Sequence, residues 1–317
     1  MKRIRYVIAF LLIPFFALAQ NNNEAYIREN YKKTERYITM RDGTKLFTAI
    51  YVPKDISRNK KYPILMQRTC YSVAPYGEDR FPARLGPSEF LMKDKYIFVY
   101  QDVRGRWMSE GTFTNMTPHI PNKKTKNDVD EASDTYDTID WLIKNLPNNN
   151  GRVGQWGISY PGFYAAAGAL SKHPALKASS PQAPIGDFFF DDFHHNGAFM
   201  QAYFFTFPVF GVQKEGPQKE AWYKMIDPKT RDGYQFHLDL GPLKNADKYY
   251  ADNFFWQEMV NHPNYDEFWQ KRGLVQHLKG VKHAVMTVGG WFDAEDLYGP
   301  LSIYKALEKN NPGTYNT

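Results

Sequence analysis

Apolar residues along this chain keep three different rhythms. Residues 6–19 form one uninterrupted apolar run that ends in Ala17-Leu18-Ala19. Residues 37–52 alternate apolar and polar positions around Asp42-Gly43, the pattern of a hairpin. Residues 62–66 and 96–100 are short apolar runs bounded by turn residues, as interior strands of a parallel sheet tend to be. Over 130–144, Ala132, Tyr136, Ile139, Leu142 and Ile143 recur at helical spacing, and residues 145–151 supply the stop. A strand at 152–156, a small-residue helix at 160–169 and a strand at 176–179 follow. Their β-α-β-α-β alternation predicts an α/β sheet.

The rhythm breaks between Gly186 and Gly280, where aromatic clusters such as Phe188-Phe189-Phe190 and Phe204-Phe205 sit among scattered Pro and Gly without clear strands. We expect a helical cap inserted at 187–280. A strand at 281–288 and a helix at 300–308 then resume the sheet pattern, so residues 31–186 and 281–317 form the two parts of one core. The Asn-rich residues before Ala25 suggest a flexible joint over 20–30.

Lys2, Arg3 and Arg5 precede the apolar run at 6–19, which makes residues 1–19 a signal peptide. A membrane span needs about 20 apolar residues, more than this run offers. A secreted or periplasmic protein, off the membrane once the leader is cleaved, is therefore expected. Of the 317 residues, 43% are hydrophobic and 16% aromatic, enough for a sizeable core. With Cys70 as the one cysteine, neither an intrachain disulfide nor a Cys-rich zinc site can form. The formal charge of +6 falls to +3 without Lys2, Arg3 and Arg5, and the basic residues are scattered, so a nucleic-acid partner is not indicated.

Ser159 is the first candidate for chemistry. It follows the strand at 152–156 and precedes the helix at 160–169, the strand-turn-helix setting of a nucleophile elbow. The usual elbow reads G-x-S-x-G; here the second glycine is displaced by one position, in Gly157-Ile158-Ser159-Tyr160-Pro161-Gly162. A serine capping a helix with Pro161 in its first turn is the competing reading.

Further motifs accompany it in order: Arg68-Thr69-Cys70-Tyr71, Asp102-Val103-Arg104-Gly105 with Ser109-Glu110-Gly111, residues 137–142 (DTIDWL), Asp191-Asp192-Phe193, and residues 289–296 (GGWFDAED). Together with GISYPG they make the chain, over about residues 30–310, resemble the cocaine esterase and X-Pro dipeptidyl-peptidase family of serine hydrolases. Within it the likeness is greatest to the α-amino-acid ester hydrolases related to glutaryl-cephalosporin acylases. The resemblance implies an α/β-hydrolase fold. It implies Ser159 as nucleophile, Asp293 as the acid that orients a histidine, and an oxyanion hole made by the Tyr160 backbone N–H and the Tyr71 hydroxyl. It also implies an ammonium site of Asp192, Glu295 and Asp296, a cation offsetting the cost of desolvating three anions. A carboxylate capping the next helix is the alternative role for Asp293, a solvated acidic surface that for the other three, and Asp191 competes with Asp192 as ammonium ligand.

No cofactor and no metal are implied: His194 and His195 lack the spacing of a zinc site. Asp102, Arg104 and Arg106 read as loop braces. The family order is Ser, Asp, His, followed by a jelly-roll domain, yet all eight histidines precede Asp293 and no jelly roll is present. These 317 residues read as a truncated and inactive form of a serine acyl hydrolase. Its substrate would be a small ester, amide or short peptide, namely an α-amino acyl ester or β-lactam amide. A general carboxylesterase, an X-Pro dipeptidyl peptidase or a non-catalytic pseudoenzyme are the alternatives, and homo-oligomers are compatible with the sequence.

Overall fold

The computed structural model describes residues 23–313; the expected signal peptide lies outside the described residues. The chain enters through α1 (Glu24–Asn30). The expected flexible joint is thus corrected over these residues: Ile27 is fully buried against Tyr31, Leu85 and Phe98, and the Asn23 amide donates to the Ala83 carbonyl. A single apolar anchor among polar neighbours leaves no periodic signal, so the sequence pattern hides this turn of helix.

The hairpin at 37–52 is present as β1 (Tyr31–Thr39) and β2 (Lys45–Pro53), antiparallel with Thr39 opposite Lys45. There follow β3 (Tyr62–Thr69), α2 (Glu89–Lys93), β4 (Ile97–Asp102), α3 (Glu131–Asn145), β5 (Asn149–Ile158), α4 (Tyr160–Ala169) and β6 (Leu176–Gln182). Asp130 opens α3 with a capping box, its carboxylate accepting from the Ser133 amide while the Ser133 hydroxyl accepts from the Asp130 amide. All ten residues of α4 are buried, and their small side chains let the helix lie close to the sheet. A Cβ at Gly168 would stand 2.5 Å from the Gln155 amide oxygen.

Residues 187–280 contain the two-residue hairpin strands β7 (His194–His195) and β8 (Ala198–Phe199), then α5 (Phe207–Gly211), α6 (Gly233–Leu240), α7 (Asp247–Tyr250), α8 (Phe254–Asn261) and α9 (Glu267–Arg272). The helices are short because aromatic packing, not helical periodicity, organises this segment. Phe188 stacks on Phe255 at 5.4 Å, and Phe193, Phe207 and Trp256 continue the cluster. Tyr160 of α4 meets Phe188 at 5.5 Å, so one hydrophobic core runs from the sheet into this segment.

The strand expected at 281–288 is reduced to β9 (Ala284–Val285), with a further bridge from Val288 to Gln182. Asn311 takes the Val281 amide, which therefore does not join the ladder. The last helix, α10 (Tyr298–Asn310), starts two residues before Pro300, since proline is tolerated throughout a first turn. The seven-stranded sheet has the order β1-β2-β4-β3-β5-β6-β9, parallel from β4 onwards. This is the α/β-hydrolase arrangement. Ser159 and Asp293 both follow the carboxyl ends of parallel strands, the edge where open α/β sheets place their sites.

Candidate active site

Ser159 joins β5 to α4 with φ 62° and ψ −127°, a backbone conformation that a non-glycine residue adopts only under constraint. Two glycines supply the constraint. A Cβ at Gly157 would lie 2.0 Å from the Pro161 carbonyl oxygen, and one at Gly162 would lie 2.6 Å from the Gln182 carbonyl oxygen. That same Gln182 carbonyl accepts the Ser159 amide at 3.0 Å. The displaced second glycine thus serves close approach of α4 to β6. The serine side chain makes no capping hydrogen bond, so the helix-cap reading of Ser159 fails on geometry, and its side chain is half-buried.

Tyr160 opens α4, where the first amides of a helix have no intrahelical acceptor. Its ring points into the core: the hydroxyl accepts from the Met116 amide at 2.7 Å and donates to Asn115. Tyr71 meets that ring edge-on, centroids 6.5 Å apart, and packs against Phe210 at 6.3 Å. Tyr71 is an exposed residue, but desolvation around its hydroxyl first, and then the Cys70, Asp192, Tyr160 and Glu295 groups, push that hydroxyl above its ordinary range. It therefore stays a neutral donor.

The loop carrying Tyr71 is fixed from β4. Asp102 accepts from the Val73 amide, the Tyr76 hydroxyl and the Met108 amide, and burial lifts its carboxyl to about 7. Trp107 and Arg106 both donate to the Cys70 carbonyl. Arg104 pairs with Asp42 and Asp134. The DVRG motif thus braces loops, as its charge pattern suggests.

Asp192, Glu295 and Asp296 bring carboxylate oxygens within 4.8 Å of one another, and among the described residues no histidine or cysteine joins them. Asp192 leaves a π-helical turn (Phe189–Phe193) and Asp296 a turn capped by Asp293, whose Oδ1 accepts the Glu295 and Asp296 amides. Asp293 therefore does cap the turn after β9, and it does so while holding two of the three acids in place. Asp192 and Asp296 are almost fully buried, and Asp192 Oδ2 and Asp296 Oδ1 have no hydrogen-bond partner among the described residues. Desolvation, reinforced by the neighbouring acids, raises both carboxyls strongly. Asp191 points elsewhere: it accepts the amides of Gly186, Asp187 and Gly299.

The family model described as X-Pro dipeptidyl-peptidase (S15 family) matches residues 42–316. The chain belongs to this family. Among relatives of the S15 chain, the cocaine esterase of Rhodococcus sp. (strain MB1 Bresler) is 26% identical over 269 residues, 81% of this chain and 43% of its own length. An aminopeptidase from a marine sediment archaeon, Thaumarchaeota archaeon, is 34% identical with a TM-score of 0.77, covering 89% of this chain and 47% of its own. A selenomethionine-labelled α-amino acid ester hydrolase is 32% identical with a TM-score of 0.76, covering 96% and 47%. The chain thus spans about half the length of the relatives it matches. The relatives named are an esterase, an aminopeptidase and an ester hydrolase.

In this S15 chain none of the eight histidines bonds to Ser159 or Asp293 among the described residues. His119 pairs with Asp130, His173 with Asp140 and His262 with Asp266; His283 shares a hydrogen bond with Ser179 and His195 with the Asp191 carbonyl. His194 stacks on Phe189, His237 meets Phe204 edge-on, and His277 packs on His119. One neighbour of the cluster escaped the sequence reading: Tyr203, whose hydroxyl is raised by burial and then by the nearby Glu295, Asp192 and Asp296 carboxyls. As one of 22 tyrosines in a segment without periodicity, it carried no signal.

Proposed function

We propose that the protein cleaves α-amino acyl esters or amides through an acyl-Ser159 intermediate. In this reading Ser159 attacks, Asp293 orients a histidine, the Tyr160 amide and Tyr71 hydroxyl hold the oxyanion, and Asp192, Glu295 and Asp296 take the substrate's α-ammonium. The observation that carries it is the convergence of three carboxylates, two of them buried with an oxygen unpartnered, on the sheet edge that bears the constrained serine. A plain ester offers such a cluster nothing to offset its desolvation. β-Lactam amides and short peptides with a free amino end belong to the same substrate class, and acyl transfer to an amine is the same chemistry with another acceptor.

A general carboxylesterase is the second reading, favoured by the 26% identity to a cocaine esterase. Turnover of phenylglycine methyl ester against phenylacetic acid methyl ester by the longest natural polypeptide that contains these residues separates the two. A kcat/KM ratio of about 100 or more in favour of the amino ester is expected, and a ratio near one would leave only the carboxylesterase.

None of the eight histidines is bonded to Ser159, so we propose that these 317 residues alone turn over ester slowly or not at all, the serine keeping a neutral hydroxyl. Hydrolysis of the amino ester by the isolated chain, abolished by Ser159→Ala, would contradict this. A cleaved leader at 1–19 and a secreted or periplasmic location are part of the proposal; the amino-terminal residue of the exported protein tests them.

A further inference from the structure

Three acids held this closely constrain what the site can do without a cation. None of Asp192, Glu295 and Asp296 forms an ion pair with Lys, Arg or His among the described residues. The groups that face them are themselves acidic or neutral. Asp191 sits beside Asp192 in the π-helical turn, Asp293 lies under Glu295 and Asp296, Tyr203 comes from the 3-10 turn Gln201–Thr206, and Tyr71 and Ser159 come from the oxyanion side. At about 5 Å and an effective dielectric of about 20, each additional like charge disfavours ionisation by a factor on the order of a hundred. All three carboxyls therefore cannot be ionised together at neutral pH unless a cation enters.

We propose that entry of an α-ammonium group into the Asp192–Glu295–Asp296 cluster expels a proton that the cluster otherwise shares, so that substrate binding is a cation-for-proton exchange. This rests on the ammonium reading of the cluster and adds to it. The balance is simple. A carboxyl O–H ionises, its proton passes to solvent, and the carboxylate formed faces the ammonium, which keeps its own three protons. The net charge of the site changes little on binding, which avoids burying either a bare cation or a triple anion.

Two unpartnered oxygens fit this exchange. Asp192 Oδ2 and Asp296 Oδ1 are buried atoms with no hydrogen-bond partner among the described residues, as expected of groups whose partner arrives with the substrate. The Tyr203 hydroxyl lies on the same side, where the Glu295, Asp192 and Asp296 carboxyls raise it, and it too is a neutral group that brings no cation to the cluster.

Phenylglycinol is a suitable probe: it carries the α-ammonium and the aromatic group but has no acyl carbon to be attacked, and 2-phenylethanol is its des-amino counterpart. Titration calorimetry of the 317-residue chain at pH 6.5 in phosphate and in ACES, buffers of different ionisation enthalpy, reads the protons released. We expect between about half and one proton released per phenylglycinol bound, and affinity rising up to about tenfold per pH unit between pH 5.5 and 7.5. Asp192→Asn is expected to bind more weakly and to release markedly less. Tight binding of phenylglycinol with equal heats in the two buffers overturns the exchange and leaves the ammonium site standing. Equal affinity for phenylglycinol and 2-phenylethanol overturns the ammonium site itself, and the exchange with it.

Discussion

Asp191 and Asp192 are neighbours in sequence and opposites in use. Asp191 accepts three backbone amides, from Gly186 and Asp187 before it and from Gly299 in the first turn of α10, at 2.7–3.1 Å. Asp192, one residue on in the same π-helical turn, faces Glu295 and Asp296 with one oxygen unpartnered. Adjacent positions of any helical turn point in different directions, so the two acids reach different partners, and π-helical turns recur at functional sites.

Asp191→Ala is expected to destabilise the fold by on the order of 3 kcal/mol, because three buried amides lose their acceptor. Asp192→Asn, of the same size and equally buried, is expected to leave stability unchanged or raised, since it removes a charge that burial penalises. Urea unfolding of the two variants decides this. If both lose stability alike, the division of labour between the pair is wrong.

The elbow makes a sharper prediction. Gly157→Ala would drive a methyl into the Pro161 carbonyl at 2.0 Å and Gly162→Ala one into the Gln182 carbonyl at 2.6 Å, both contacts to backbone that cannot swing aside. Each variant is expected to lose several kcal/mol or fail to fold, whereas Gly151→Ala, with open space around it, costs only what its positive φ imposes. Soluble yield and melting temperature of the three variants check this; a well-folded Gly162→Ala protein would mean that α4 does not sit on β6 as described.

How much of this was legible in the sequence depended on periodicity. Apart from the five-residue α2, which gave no signal, the strands and helices from Tyr62 to Gln182 announce themselves in the apolar pattern, and Ser159 stands where β5 turns into α4. The aromatic segment at 187–280 offered no period, so its short helices, its π-helical turn and Tyr203 were out of reach. The resemblance to the ester hydrolases brought Asp192 together with Glu295 and Asp296, about a hundred residues away, but which of two adjacent acids faced the cluster required the backbone of the turn. Ile27 shows the reverse failure: one buried side chain fixes a helix that composition reads as a joint.

Tyr71→Phe isolates the oxyanion proposal. The ring contacts to Tyr160 and Phe210 survive the change, and no hydrogen bond that fixes the loop uses the Tyr71 hydroxyl. In the longest natural polypeptide that contains these residues, kcat for the amino ester should fall about 100–1,000-fold with KM little altered, as for loss of one oxyanion donor. An unchanged kcat would assign Tyr71 to packing alone.

The acid cluster should also make stability depend on pH in a defined direction. Burial, with Asp296 and Glu295 beside it, raises the folded-state pKa of Asp192 well above the unfolded value of 3.8. A group raised in this way favours folding when protonated, so its contribution is fully present below about pH 4 and is lost as pH rises towards the folded pKa. Asp192→Asn does not titrate and relieves Asp296 as well. The melting temperature of this variant minus that of the unaltered protein is therefore expected to be small near pH 4 and to grow steadily towards pH 8. Taking the difference cancels the opposing effect of His194 and His283, whose pKa values burial lowers to about 4 in both proteins. A difference that stays flat across this range would show that the cluster is hydrated and carries its charges without penalty.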